Sequence, residues 1–323
     1  MSTDHIKSIW IDCDPGHDDA MAIILACYHP DLNLLGISTV AGNQSVEKTT
    51  QNAANTLAAI GKPDIQLIKG QSKALFGELQ YCAEIHGNSG LDNLRGEPVF
   101  PNVEVPESLE PGILAIFRSI STHFFLTNKK VQFVAVGSLT NLALLITIFP
   151  QISEMIEITI MGGAMGIGNT NPVAEFNIEN DPEAARIVFE SGISLTMVPL
   201  EVTHSVLVTN EVLARIGCET EFKIQVQELL SFFTETYKTV FFFDFPPLHD
   251  PLAVYFIIAP NQFQGRLMRV DIETNSTLSR GQTVCDYYGR SKKPANCFVT
   301  TSVNAEEFWN EMITAIECVK QVV

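Results

Sequence analysis

Hydrophobic and polar positions alternate in a repeating grammar along the chain: a short β-rich apolar run, a polar loop, then a helical apolar stretch. Residues 8–12 (SIWID) read as a strand, followed by the polar DPGHDD and the helical AMAIILACY. Residues 34–40 (LLGISTV) and 65–70 (IQLIKG) are further strands, separated by the helix-like VEKTTQNAANTLAAIG. An irregular stretch follows over 71–106, then a helix over 111–124 with proline at its start. Strands are predicted over 131–137, 157–163 and 193–200. The helices SLTNLALLITIF and 181–192 lie between them, and LAVYFIIAP forms another further on.

Strands alternating with helices imply right-handed βαβ units. Strands that are apolar throughout fit a sheet covered on both faces. The expected fold is α/β, with a mainly parallel central sheet flanked by helices, and no linker or repeat divides residues 1–323 into more than one domain. Each strand is followed by a polar, glycine-rich segment: DPGHDD, AGN, GSLTN, GGAMGIGNTN. Ligands of open α/β sheets bind beyond the carboxyl ends of the strands, so one site assembled from several loops is predicted.

Composition narrows the partners. The 323 residues carry 20 Lys+Arg against 37 Asp+Glu, a net charge of −17. Nucleic acid and anionic membranes are poor partners for such a chain. No apolar run reaches the ~18–20 residues of a membrane span, and the first residues lack a signal-peptide pattern. Seven scattered cysteines without a CxxC pair argue for reduced thiols and a cytoplasmic protein. Two sequons, at Asn43 and Asn275, are read as chance.

The densest chemistry is Asp12-Cys13-Asp14-Pro15-Gly16-His17-Asp18-Asp19, with four carboxylates between a buried strand and an apolar helix. Their mutual repulsion calls for an offsetting positive charge. Helix amides supply part of it, and a hard divalent cation suits the rest. An EF-hand is excluded because the position that would need Glu is Ile23. A phosphatase of the haloacid-dehalogenase kind shares the strand-DxD start, but not Pro15-Gly16 or the Asp18-Asp19 pair.

His249-Asp250-Pro251 offers a further ligand and a proton donor near neutral pH. Asn169, Glu175 and Asn177 suit vicinal hydroxyls. His86 lies in a glycine-flanked loop, and the aromatics of 232–245, mostly expected in the core, could supply a ring to stack on a base. The glycines of MGGAMGIG do not have dinucleotide-binding spacing.

Read together, DCDPGHDD (12–19), GNQS (42–45), IHGNSGL (85–91), VGSLTN (136–141), MGGAMGIGN…VAEFN (161–177) and HDP (249–251) resemble, in order, the motifs of the inosine–uridine-preferring nucleoside hydrolases. The resemblance implies a Rossmann-like nucleoside hydrolase fold and Ca²⁺-dependent cleavage of the N-glycosidic bond of ribonucleosides to ribose and free base. It also implies assembly as a homodimer or homotetramer.

By the resemblance, Asp14 binds the ion and is general base on the water the ion holds. Asp19, Asp250 and the main-chain carbonyl of Val136 complete the ligands. Asp18, Asn43, Met161, Asn169, Glu175 and Asn177 hold the ribose. His86 and His249 stand near the leaving base, with His249 as its proton donor and Tyr237 over the base, and Asp12 is structural. A non-catalytic nucleoside or ribose binder on the same scaffold is the alternative. Uridine is the favoured substrate and inosine the second. The segments that sort the bases, 71–95 and 222–248, are read as mobile loops.

Overall fold

The computed structural model describes residues 5–105 and 110–319. Its strands are β1 (Lys7–Cys13), β2 (Leu32–Thr39), β3 (Leu67–Lys69), β4 (Val131–Ala135), β5 (Ile156–Met161), β6 (Leu195–Val198), β7 (Phe263–Ile272), β8 (Thr283–Asp286) and β9 (Cys297–Val303). The helices are α1 (His17–Tyr28), α2 (Val46–Ala59), α3 (Ala83–His86), α4 (Gly112–Thr127), α5 (Thr140–Ile148) and α6 (Phe176–Asn180). They continue as α7 (Pro182–Glu190), α8 (Leu200–Thr203), α9 (Asn210–Ile216), α10 (Glu221–Val240), α11 (Pro251–Ile258) and α12 (Ala305–Cys318).

The nine strands form one sheet, in the order β3-β2-β1-β4-β5-β6-β9-β7-β8. The pairings from β3 to β9 are parallel, and β7 runs antiparallel to both its neighbours. Along β1 the side chains alternate between two cores. Ile9, Ile11 and Cys13 join α1, α11 and α12 on one face, while Trp10 joins α4, α5 and α7 on the other. The strand order reverses at β1, which lies between β2 and β4. That reversal opens a crevice beyond the carboxyl ends of β1 and β4.

Two expectations are corrected here. Segment 222–248 is not a loop for most of its length: it holds the 20-residue helix α10. Its buried positions Phe222, Val226, Leu229, Leu230, Phe233 and Tyr237 recur at three- and four-residue spacing. The aromatics of 232–245 are also not mostly core: Phe233 and Tyr237 are buried, Phe232, Phe241, Phe243 and Phe245 are half-buried, and Phe242, just past the helix, is 87% exposed.

Candidate active site

The floor of the site is the turn between β1 and α1. Asp19, in the first turn of α1, accepts the amides of Asp14 (3.1 Å) and Gly16 (2.9 Å), which folds the DPGHDD segment back on the helix end. Asp14 accepts the Asn43 amide at Oδ2 (2.7 Å), while its buried Oδ1 has no hydrogen-bond partner. Two glycines make room for this carboxylate. A Cβ on Gly42 would collide with Oδ2, and one on Gly137 would lie 2.6 Å from Oδ1.

Below it, Asp12 ties the strand ends together. It accepts from the Ser38 hydroxyl and from Asn141 Nδ2 (2.8 Å), and Asn141 also holds Thr39 O (3.0 Å). Burial pushes Asp12 up to about 7.

Asp250 arrives from the far part of the chain. Backbone pairing pins its approach, with Leu248 N on Val206 O (2.9 Å) and Val208 N on Pro246 O (2.9 Å), and Pro251 starts α11 directly behind it. Asp18, Asp19 and Asp250 each place an oxygen within 4.8 Å of the others. The triad sets Asp18 beside the expected ligands Asp19 and Asp250.

Asp14 still belongs to the same electrostatic group. Burial and then Asp19 hold it well above the usual carboxylate range. Asp250 is raised by burial and then by Asp18, Asp19 and Asp14. Burial and Asp19 push Asp18 up to about 7, and burial pushes Asp19 up to about 6. The charges acting on Asp14 and Asp250 are thus those of other carboxylates. An unpartnered buried oxygen and an all-oxygen donor set fit a hard divalent cation. The Cys13 thiol faces Ser38 O instead (3.7 Å).

A cavity of about 240 Å³ opens above this floor. Asp18, Asn43, His86, Val136, Met161, Asn169, Glu175, Asn177, Tyr237, His249 and Asp250 all line it. The structure therefore brings together every residue singled out from the sequence, with Asp14 and Asp19 in the floor.

On one wall, Glu175 is buried and accepts the amides of Gly163 (2.8 Å), Asn177 (3.0 Å) and Ile178 (3.3 Å), the last two opening α6. Gly163 turns the chain after β5 with φ 72°, a conformation that favours glycine. Burial pushes Glu175 up to about 7. Asn177 Nδ2 donates to Val136 O (2.8 Å) and Met161 O (3.2 Å), joining the ends of β4 and β5.

The opposite end is aromatic and histidine-rich. His249 is held at both ring nitrogens: Nδ1 lies 2.7 Å from Thr203 Oγ1 and Nε2 lies 2.8 Å from Tyr237 Oη. Burial, and then His204, hold His249 well below the ordinary histidine value. Tyr237 packs on Phe233, which stacks with His86.

Sequence reading passed over several contributors. Gln80, Tyr81, Cys82 and Glu84 line the cavity from the loop and first turn before His86. Thr203 orients His249, and His17 lies against His86 with the two Nδ1 atoms 3.2 Å apart. A signal existed for His17, which sits inside the DPGHDD cluster. None existed for Thr203, whose role depends on α8 meeting the segment before α11.

A family model described as inosine-uridine preferring nucleoside hydrolase matches residues 9–310. A probable ribonucleoside hydrolase of Dictyostelium discoideum is 46% identical, the match covering 98% of this chain and 96% of that protein. A pyrimidine-specific ribonucleoside hydrolase, RihA, of Shewanella oneidensis is 39% identical over 95% of each chain. Among solved structures, a purine-preferring ribonucleoside hydrolase from Gardnerella vaginalis superposes with a TM-score of 0.86 at 29% identity, covering 96% of this chain and 98% of that one.

Proposed function

The chain belongs to the inosine–uridine preferring nucleoside hydrolase family and is a hydrolase acting on the N-glycosidic bond of ribonucleosides, and on that premise we propose a Ca²⁺-dependent enzyme that favours uridine and accepts inosine. The observation that carries the metal part is the buried carboxylate group with an orphaned Asp14 oxygen. Asp18, Asp19, Asp250, Asp14 and the Val136 carbonyl would hold the ion. When bound, it supplies the positive charge that acidifies water and grips sugar hydroxyls.

The chain's own groups do the rest. Asp14, fixed by the Asn43 amide, accepts the proton of the attacking water. Asn43, Asn169, Glu175 and Asn177 orient the ribose hydroxyls. The carboxylate floor favours the positive charge that grows on the sugar as the glycosidic bond lengthens. At the far end, negative charge grows on the departing base. Tyr237 and neutral His249, hydrogen-bonded at 2.8 Å, form the path that carries a proton to it.

The preference for a pyrimidine rests on similarity: the relative named pyrimidine-specific is 39% identical, against 29% for the structure named purine-preferring. A single-domain chain assembled as a homodimer or homotetramer in the cytoplasm completes the proposal. No helix among the described residues is long and apolar enough to cross a membrane.

The test is release of reducing sugar from uridine, inosine, cytidine and adenosine with calcium supplied. Uridine is expected to be cleaved best and inosine next. Cleavage of none of the four overturns the activity, and cleavage unaffected by chelation overturns the metal.

A further inference from the structure

Glu201 lies outside every group assigned above, yet it holds the loop that brings Asn169 to the cavity. That loop leaves the end of β5 and is rich in glycine, with Gly162, Gly163, Gly166 and Gly168. Glycine gives up more conformational freedom on ordering than any other residue, so such a loop needs an outside hold. Apolar packing does not supply it at the tip, where Gly166 is exposed and Ile167 is 41% exposed.

The hold is polar and comes from the neighbouring strand. β6 pairs with β5 in parallel, so α8, which follows β6, emerges beside the loop. The two strand ends are laced together by Gly162 N on Val198 O (3.3 Å) and Leu200 N on Gly163 O (3.0 Å). The next residue, Glu201, turns its carboxylate on three consecutive amides. Oε1 accepts from Met165 N (2.8 Å), Gly166 N (2.8 Å) and Ile167 N (3.3 Å), and Oε2 accepts from Met165 N (3.0 Å). Successive amides aimed at one anion form a concave nest, and here the anion is a side chain of the same protein. Hydrogen bonds to an ionised acceptor are stronger than neutral ones.

The chain on either side of the nest is tied down separately. Before it, Thr283 Oγ1 accepts Ala164 N (2.9 Å) and donates to Ala164 O (2.5 Å). After it, Asn169 N donates to Ala174 O (3.1 Å), and Asn169 Oδ1 accepts Phe176 N (3.0 Å) at the opening of α6. A main-chain N–H only donates, so that last contact settles which way the Asn169 amide points. Asn169 lines the cavity, and Glu201 bears on it through the loop.

We propose that Glu201 is a positioning residue for the sugar: its carboxylate fills the amide nest at 165–167 and thereby sets where Asn169 stands over the ribose. Without that carboxylate the glycine loop samples other conformations and Asn169 leaves its place. The ribose is common to all nucleosides, so the effect is the same whatever the base. This inference rests on the reading of the cavity as a ribonucleoside site.

Amide hydrogen exchange on the whole protein tests the nest without any substrate. Met165, Gly166 and Ile167 are expected to exchange slowly in the wild type and about tenfold or more faster in Glu201→Ala, while the amides of β6 hold. Glu201→Gln, which keeps an acceptor oxygen, is expected to restore most of the protection. Fast exchange in the wild type, or unchanged rates in Glu201→Ala, overturns the proposal.

Kinetics tests the consequence. Glu201→Ala is expected to lower kcat/KM about tenfold on uridine and inosine alike, and Glu201→Gln to recover most of that loss. In an Asn169→Ala background the same substitution is expected to cost less than about twofold, because its effect travels through Asn169. A full tenfold loss in that background overturns the proposal, since Glu201 would then act elsewhere, as through α8 and Thr203 on His249. A loss confined to one nucleoside overturns it as well. Should Glu201→Ala fail to fold, Glu201→Met, of similar length and without oxygens, takes its place. Should Asn169→Ala show no turnover, exchange decides alone. Failure of the wild type to cleave any nucleoside refutes the function proposed above, and exchange still decides the nest.

Discussion

At the cavity floor, Asp14, Asp18 and Asp19 come from one short turn between β1 and α1, and their positions are set by backbone amides within that turn and by Asn43. At the base-end wall, His86, Tyr237 and His249 come from three distant stretches, held by side chains: Tyr237 on His249, Thr203 on His249 and His17 beside His86. The floor is densely charged and the wall neutral. Burial acts on both, pushing the carboxylates up and the histidines down. Under the function proposed above, the acidic floor holds the cation and the ribose, and the neutral wall faces the departing base.

The largest effect is expected at the floor. Asp14→Asn should lower kcat by about 10³-fold on every nucleoside alike, in line with loss of a general base, with an unchanged circular-dichroism spectrum. A loss confined to one base would erase the division between floor and wall.

Next comes the ion. Calcium at about 100 times its Kd should stabilise the chelated protein by ~2.7 kcal/mol in denaturant melts, and Asp250→Asn should lose most of that gain. An equal gain in the variant would put the ion elsewhere.

Glu175 separates burial from catalysis. Its carboxyl, raised from an ordinary 4.5 to about 7, binds a proton more readily folded than unfolded. Stability of the metal-free protein should therefore decline as pH rises from about 4.5 to about 7. Glu175→Gln should remove a part of that decline on the order of 1–3 kcal/mol. Parallel melts at pH 5 and pH 8 that show the same slope for both proteins would refute it.

The smallest effect belongs to the wall. Tyr237→Phe, which leaves His249 Nε2 unpaired, should cost about tenfold in kcat/KM, unevenly between uridine and inosine. A uniform loss of the Asp14→Asn size would make Tyr237 part of the floor's chemistry.

Much of this was legible in the residues. The strand–loop–helix alternation up to residue 200 appears in the structure with small differences at the ends, as in β3, which is only Leu67–Lys69. Apolar runs and their breakers are local signals. The floor was also legible, because four carboxylates in eight residues are anomalous whatever surrounds them.

The part after residue 220 was harder. The aromatic crowding of 232–245 masked the helical spacing of α10. The antiparallel pairing of β7 with β8 and β9, outside any βαβ grammar, was not anticipated.

What the sequence alone determined is therefore the parallel α/β frame and the identity of the charged groups, because both depend on neighbours within a turn or a strand. Only the tertiary structure decided that Asp18 places an oxygen within 4.8 Å of Asp19 and Asp250. It also decided that Thr203 and Tyr237 bracket His249 and that His17 meets His86. Such pairings join segments whose separation along the chain says nothing about their distance in space. They exist because the reversal of strand order at β1 gathers those loops over one crevice.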